Sequence, residues 1–228
     1  MYFSDWARSL ETVRRNIFNQ SNGSPLTTLW SCIPKSFNKP WKDYSYLCVD
    51  LEFSDLDARK GDILSIGWVE IEEGSIKLST AKHIYLKSRK TVGQSATIHN
   101  IRDCDVSEGL SISEAAAAFL SSCKGRILIL HHGRLDFSYL NQASKRLFGS
   151  PLWLPYCDTM ELEKTKILNE MGTIPPGALT LSTCRSRYSL PNYTQHNALV
   201  DALATAELFI AHLSGREEQL PLNMIRYA

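Results

Sequence analysis

Eight residues, Tyr46-Leu-Cys-Val-Asp-Leu-Glu-Phe53, constrain the fold more than any other stretch of the chain. The run is mostly apolar, rich in aromatic and branched side chains, and ends at a turn-like Ser54-Asp55, so it reads as a buried strand. Two acids interrupt it. Side chains two apart on a strand share a face, so Asp50 and Glu52 emerge side by side. Neighbouring carboxylates in a low-dielectric strand repel unless a cation sits between them. An isolated Asp-x-Glu is nevertheless more often an edge-strand salt bridge beside a solvated acid, because short motifs recur by chance. The rest of the chain has to decide.

Three runs follow the strand period in sequence: Tyr46–Phe53, Ile63–Ile71 and Lys77–Leu86. Lys60-Gly61-Asp62 and Glu73-Gly74 separate them and suit antiparallel hairpins. The pattern then changes. Ile112–Cys123 predicts a helix, Arg126–His131 a continuous apolar strand buried on both faces, and Leu135–Leu147 another helix. A short strand over Trp153–Cys157 and helices over Met160–Leu168, Ala178–Arg187 and His196–Leu213 complete the reading. In the last helix Leu199, Leu203, Ala206, Ile210 and Leu213 form the apolar stripe. Antiparallel strands followed by alternating helices and strands predict an α/β fold, a mixed sheet with helices packed on it.

Both ends lie outside this pattern. Trp6, Leu10, Val13 and Ile17 have helical spacing behind Ser4, a candidate cap, and predict a short amphipathic helix packed on its own domain. Pro25, Pro34 and Pro40, among Ser and Asn, predict an irregular connector. The expected organisation is an extension over 1–45, one domain over 46–214 and a tail over 215–228.

The totals exclude several classes. A net charge of +1 gives no global attraction to nucleic acid, so any such binding has to be local. The six cysteines are scattered without a C-x-x-C pair, which argues against a zinc site or a disulfide framework and suits a reducing cytosol. No segment approaches the ~18 apolar residues of a membrane span, and no apolar leader opens the chain, so a cytoplasmic protein is expected.

Three more residues bear on the acid pair. Asp136 follows the buried strand at the start of a helix, where an acid is ordinarily a helix-terminus charge. His196 and Asp201 flank the start of the last helix, where each has an ordinary reading as a surface or first-turn residue. Together, Asp50-x-Glu52, Asp136 and His196-x-x-x-x-Asp201 resemble the DEDDh 3′→5′ exonucleases, the family of the polymerase III epsilon subunit, ribonuclease T and oligoribonuclease. The similarity runs from about Tyr46 to Leu213 and takes in Ile63–Val69, Ile98-His99-Asn100-Ile101, His131–Leu140, Asp158-Thr159 and Tyr188–Phe209.

That resemblance implies an RNase H-like five-stranded mixed sheet flanked by helices. It implies hydrolysis at the 3′ end of single-stranded DNA, with release of nucleoside 5′-monophosphates. Two divalent cations, Mg²⁺ or Mn²⁺, would lie roughly 3.5–4 Å apart and stabilise the attacking and departing oxygens. Asp50 would bridge them, Glu52 and Asp201 would serve the nucleophile side, and Asp136 the leaving-group side. His196 would take the proton from water. Leu51, Phe53, His99, Asn100 and His132 would line the substrate site. Phe53 stands where the family commonly has Thr, and would pack beside the terminal sugar or base. His132 stands where the family usually has Asn. An RNA-trimming enzyme, or a non-catalytic nucleic-acid or partner-binding module on the same fold, are the alternatives.

Two basic groups, Lys82, Lys87, Arg89 and Lys90 near Tyr85 and Arg185 with Arg187 near Tyr188, are candidates to track phosphates, or are solvated faces. The tail Gln219-Leu-Pro-Leu-Asn-Met224 resembles peptides by which bacterial polymerases dock on the sliding clamp. Clamp or polymerase contact is therefore a further expectation.

Overall fold

The computed structural model describes residues 24–87, 101, 103–194, 196–214 and 221–222. Three long strands come first, β1 (Ser45–Phe53), β2 (Ile63–Glu72) and β3 (Ser75–Tyr85). They pair antiparallel through two hairpins. The β2–β3 turn has Glu73 at φ 53° and Gly74 at φ 70°, the two left-handed residues that match the twist of a tight hairpin. The longer β1–β2 loop is closed at its base by Ser54, whose amide donates to the Asp62 carbonyl and whose hydroxyl accepts the Asp62 amide.

A short helix α2 (Asp103–Ser107), unanticipated from the sequence, precedes α3 (Ile112–Cys123). α3 occupies the span predicted for it, and Ser111 and Glu114 form a capping box at its start. The chain then crosses to β4 (Arg126–Leu130), which pairs parallel with β1, and through α4 (Gly133–Phe148) to β5 (Tyr156–Asp158), parallel with β4. The result is one mixed sheet in the order β3-β2-β1-β4-β5. Helices α5 (Thr159–Met171), α6 (Leu181–Ser186) and α7 (Ala198–Ser214) follow. The sheet-plus-helix expectation holds, and β4, predicted as doubly buried, has Ile127 through Leu130 at 0% exposure.

Strand alternation distributes the helices. Tyr46, on the same face as Asp50, meets Phe209 of α7 with ring centroids 5.0 Å apart. Trp68 points the other way and meets Phe119 of α3 at 5.8 Å. Each face of the central strands thus takes an aromatic contact from a helix, while the edge strand β3 has no fully buried residue.

The stretch expected as an irregular connector departs from that reading. Pro25–Ser31 is a helix, here α1, with Pro25 in its first turn and Ser24 accepting the Leu26 amide. Proline is tolerated at a helix start, where its missing N–H would lack a partner anyway. Leu26, Leu29, Phe37, Trp41 and Tyr44 are buried in the same core as β1. The tail is corrected similarly at its described residues. Leu222 is 1% exposed and its amide donates to the Lys39 carbonyl, beside a bridge between Pro40 and Pro221. A leucine spent on its own core is not offered to a clamp. The amphipathic helix expected near Trp6, the bases Arg89 and Lys90, the clamp-like Met224, and the candidate substrate residues His99 and Asn100 lie outside the described residues.

Among the described residues no helix is long and apolar enough to cross a membrane. The described cysteines are free thiols, and all but Cys32 are buried.

Candidate active site

The acids gather where the parallel strands end. Asp50 and Glu52 project from the end of β1 onto the α7 face. Asp50 pairs with Gly67 and Glu52 with Ser65 across the β1–β2 ladder. Gly67 then decides what can approach them. A Cβ built there would lie 2.2 Å from the Leu199 amide nitrogen and 2.3 Å from the Ala198 carbonyl carbon. The first turn of α7 therefore rests directly on Gly67, and this contact delivers Asp201 to the acid pair. Carboxylate oxygens of Asp50, Glu52 and Asp201 lie within 4.8 Å of one another. Gly67→Ala should push this turn off the sheet and lower any activity of the site by about ten- to a hundredfold, as misplacements of ~1 Å do. Initial rates beside a circular-dichroism melt would check it.

Asp136 arrives from the other side, in the first turn of α4, and is 5% exposed. The end of β4 orients that helix. His132 has φ 67°, a left-handed turn, and its amide donates to Asp158 Oδ1 at 3.1 Å while Gly133 donates to Oδ2 at 2.8 Å. Asp158 also accepts the Met160 amide at 3.0 Å, so one carboxylate starts both α4 and α5. His131 behind it donates Nε2–H to the Leu179 carbonyl, which can only accept, and takes the Thr159 hydroxyl at Nδ1. Burial pushes its imidazole down to about 4, which keeps it neutral and structural.

The electrostatics of the cluster are those of a site short of positive charge. Burial, then the charges of Asp136, Glu52 and Asp201, push the Asp50 carboxyl well above the carboxylate range. Burial and then Asp158 do the same to Asp136. Asp201 is raised by burial, against the opposing pull of the His196 amide. An all-oxygen donor set whose members raise one another suits a hard divalent cation, which needs oxygen ligands and relieves the repulsion. The chemistry of the donors fits such an ion.

His196 is exposed, with φ 66°. Its amide donates to Asp201 Oδ2 at 2.8 Å, and the Asn197 amide donates to the same oxygen at 3.3 Å. One carboxylate oxygen thus fixes the turn carrying the histidine. A residue other than glycine in this left-handed region is uncommon and, at a site, is held by its surroundings.

The other expected site residues divide. His132 is exposed at the rim. Leu51, between the acids, points away from them and is 3% exposed in the core. The Phe53 ring stacks on Tyr139 of α4, centroids 4.6 Å apart and planes 6° from parallel. The Tyr139 hydroxyl donates to the Asp55 carbonyl. One face of Phe53 is therefore taken within the protein, and the pair ties the end of β1 to the helix bearing Asp136. Leu56, 77% exposed on the loop just beyond, was not anticipated, since a lone leucine in a polar loop carries no periodic signal.

The second basic group is corrected. Arg185 is 2% exposed and donates to the Ala204 and Pro191 carbonyls and to Glu207. Arg187 pairs with buried Glu163. Guanidiniums spent on internal carbonyls and carboxylates do not track a phosphate backbone. In the first group Lys82 lies over the Trp68 ring and both Lys82 and Lys87 are exposed.

The RNase T exonuclease family model matches residues 47–209. A PolC-type DNA polymerase III of Thermotoga petrophila is 26% identical over 176 residues, 77% of this chain but 12% of that protein. The DNA polymerase III epsilon subunit of Buchnera aphidicola subsp. Schizaphis graminum is 26% identical over 164 residues, 68% of this chain and 66% of that one. The chain therefore spans only a small part of the PolC-type relatives. In fold it is similar to E. coli exonuclease I, seen in a complex with single-stranded DNA, at a TM-score of 0.66 and 14% identity over 76% of this chain and 41% of that one. It is also similar to cell-death related nuclease 4, at 0.62 and 13% identity over 78% and 67%.

Proposed function

The chain belongs to the RNase T exonuclease family, and from that premise we propose that it is a 3′→5′ exonuclease that trims single-stranded DNA. The observation that carries the reading is the convergence of Asp50, Glu52 and Asp201 oxygens within 4.8 Å, with buried Asp136 close enough for its charge to raise Asp50. The DNA preference draws on two relatives that are DNA polymerase III proteins and on a structural neighbour solved with single-stranded DNA.

Asp50, Glu52, Asp136 and Asp201 would hold two Mg²⁺ or Mn²⁺ ions, which when bound supply charge neutralisation for the phosphate and for the attacking and leaving oxygens. The chain's own residues perform the rest. His196, exposed beside the cluster and fixed through its amide by Asp201, takes a proton from the attacking water at an imidazole nitrogen. The water oxygen bonds to phosphorus and the bond from phosphorus to the 3′ oxygen of the penultimate nucleotide breaks. A nucleoside 5′-monophosphate leaves, the departing 3′ oxygen takes a proton from solvent to become the new 3′ hydroxyl, and His196 returns its proton to solvent. Asp201 thus has two tasks, one oxygen positioning the base and the other available to the cation. Exposed His132, and Phe53 backed by Tyr139, would be the side chains that meet the terminal nucleotides.

The test is nucleotide release by the full chain from 5′-labelled DNA and RNA oligonucleotides in Mn²⁺, in Mg²⁺ and in EDTA. A descending ladder of products on DNA, abolished by EDTA, is the expected result. Faster shortening of RNA would move the substrate to RNA. Intact 3′ ends in every metal, with the oligonucleotide still retained by the protein, would replace catalysis by binding alone.

A further inference from the structure

Five buried side-chain nitrogen or oxygen atoms among the described residues have no hydrogen-bond partner: Ser65 Oγ, Trp68 Nε1, His83 Nε2, Arg126 Nε and Thr205 Oγ1. Leaving such an atom unpaired costs about 1–3 kcal/mol, so each asks for a reason. Two of them stand on strand positions of the face that carries the acids. Ser65 pairs with Glu52 across β1–β2, and His83 pairs with Gly67, which itself pairs with Asp50. Asp50, Gly67 and His83 thus form one row across three strands, and Glu52, Ser65 and Tyr85 form the next.

The geometry narrows what these two atoms are for. Ser65 is 0% exposed, and directly opposed residues on one face of an antiparallel pair have Cβ atoms about 4.5–5.5 Å apart. Its hydroxyl is without a partner, and Glu52 is the residue directly opposite. The His83 ring lies beside that of Tyr85, the same-face neighbour that occupies the Glu52 row, with centroids 4.5 Å apart. Burial pushes the His83 imidazole below its ordinary value while the charge of Glu52 pulls it back, so the two groups are within electrostatic reach. Glu52 itself is 4% exposed, and a carboxylate so enclosed is oriented by what donates to it.

We propose that Ser65 and His83 are positioning residues for the nuclease site, their unpartnered Oγ–H and Nε2–H turning to Glu52 when it receives a cation and so fixing the orientation in which it does so. The inference rests on the functional reading above. It explains why two polar side chains occupy a face where valine and phenylalanine would cost less. Neither touches the substrate or the reacting atoms. Their effect passes through Glu52.

The experiment compares the full-length protein with Ser65→Ala, His83→Phe and His83→Gln, the last keeping an N–H near Nε2. Three quantities are read: Mn²⁺ affinity by isothermal titration without substrate, kcat and KM on a single-stranded DNA oligonucleotide, and melting temperature in EDTA. Loss of either donor should weaken Mn²⁺ binding about ten- to a hundredfold, the range seen when partners behind metal ligands are removed. It should lower kcat and leave KM within about twofold. The melting temperature should stay level or rise, because an unpaired buried polar atom has been deleted. His83→Gln should recover most of the affinity. Wild-type Mn²⁺ affinity in both Ser65→Ala and His83→Phe would overturn the assignment while leaving the nuclease intact. A wild-type protein that neither binds Mn²⁺ nor shortens DNA would remove the functional reading, and this inference with it.

Discussion

Asp50→Asn should abolish nucleotide release, by at least about a thousandfold, while making the metal-free protein harder to unfold. The two effects come from one cause. Asp50 is the acid on which the others converge: burial and the charges of Asp136, Glu52 and Asp201 all act against its ionised form. A neutral amide of the same shape removes that repulsion. A gain of about 1 kcal/mol, or roughly 2–4 °C for a chain of this size, is the expected order. It also removes the carboxylate that a pair of cations would share, and that charge has no substitute in the transition state.

The pH dependence separates this from a generic stabilisation. A carboxyl whose pKa is raised on folding binds its proton more tightly in the native state, so its contribution to stability is greatest below its unfolded pKa, about 3.9 for Asp. That contribution is lost as the pH rises through the raised folded value. For Asp50, Asp136 and Asp201 the shift has this sign. In EDTA the melting-temperature advantage of Asp50→Asn over wild type should therefore grow between pH 5 and pH 8. Saturating Mn²⁺ should reverse the order at pH 8, since a ligand at a hundred times its dissociation constant adds about 2.7 kcal/mol to the form that binds it. Cleavage by Asp50→Asn within tenfold of wild type would sink the assignment.

How far the sequence could be read depended on the range of the interaction concerned. The strands and most helices are written in local periodicity. β1 and α3 lie within a residue of where alternation and the three-to-four spacing put them. Asp50 and Glu52 share a face because the strand period is two, and no fold knowledge is needed for that. Asp136, His196 and Asp201 became candidates only through resemblance, because their approach to Asp50 is set by Gly67 under α7 and by Asp158 at the start of α4, contacts between elements distant in sequence. The same distance misled the reading of Arg185 and Arg187. Two arginines near a tyrosine look like a basic face until Glu207 and Glu163, 22 and 24 residues away, are seen to accept them. Leu222 shows the limit again: a short tail with two leucines gives no sign that Leu222 is buried with its amide on the Lys39 carbonyl. Ser65 and His83 are ordinary strand residues in sequence, and only the three-strand register sets them beside the acids.

Glu163→Gln should cost about 3–5 kcal/mol, the usual penalty for leaving buried partners of a removed charge uncompensated. Glu163 is 0% exposed and is the junction of three helices. Its Oε2 accepts from Arg187 Nε at 3.0 Å, just past the end of α6, and its Oε1 accepts from the Tyr188 hydroxyl at 2.6 Å. His212 Nδ1 of α7 lies 2.8 Å from the same oxygen. Burial alone would raise this carboxyl, yet the bonds from His212, Tyr188 and Arg187 outweigh it and hold the group at about 2. The sign is opposite to that of the acid cluster. Here stability is present above the unfolded glutamate value, about 4.3, and is lost as the pH falls from there toward 2. Glutamine keeps the shape but offers one acceptor and two donors to a cage that supplies only donors around it. A drop in melting temperature of about 6–20 °C at pH 7 follows for a chain of this length. The gap between Glu163→Gln and wild type should narrow as the pH is lowered from 5 to 3. Because the network lies along α7 beyond the acids, the folded fraction of the variant should cleave at nearly the wild-type rate below its melting point. A rate loss equal to that of Asp50→Asn at a temperature where the variant is folded would instead make Glu163 part of the site.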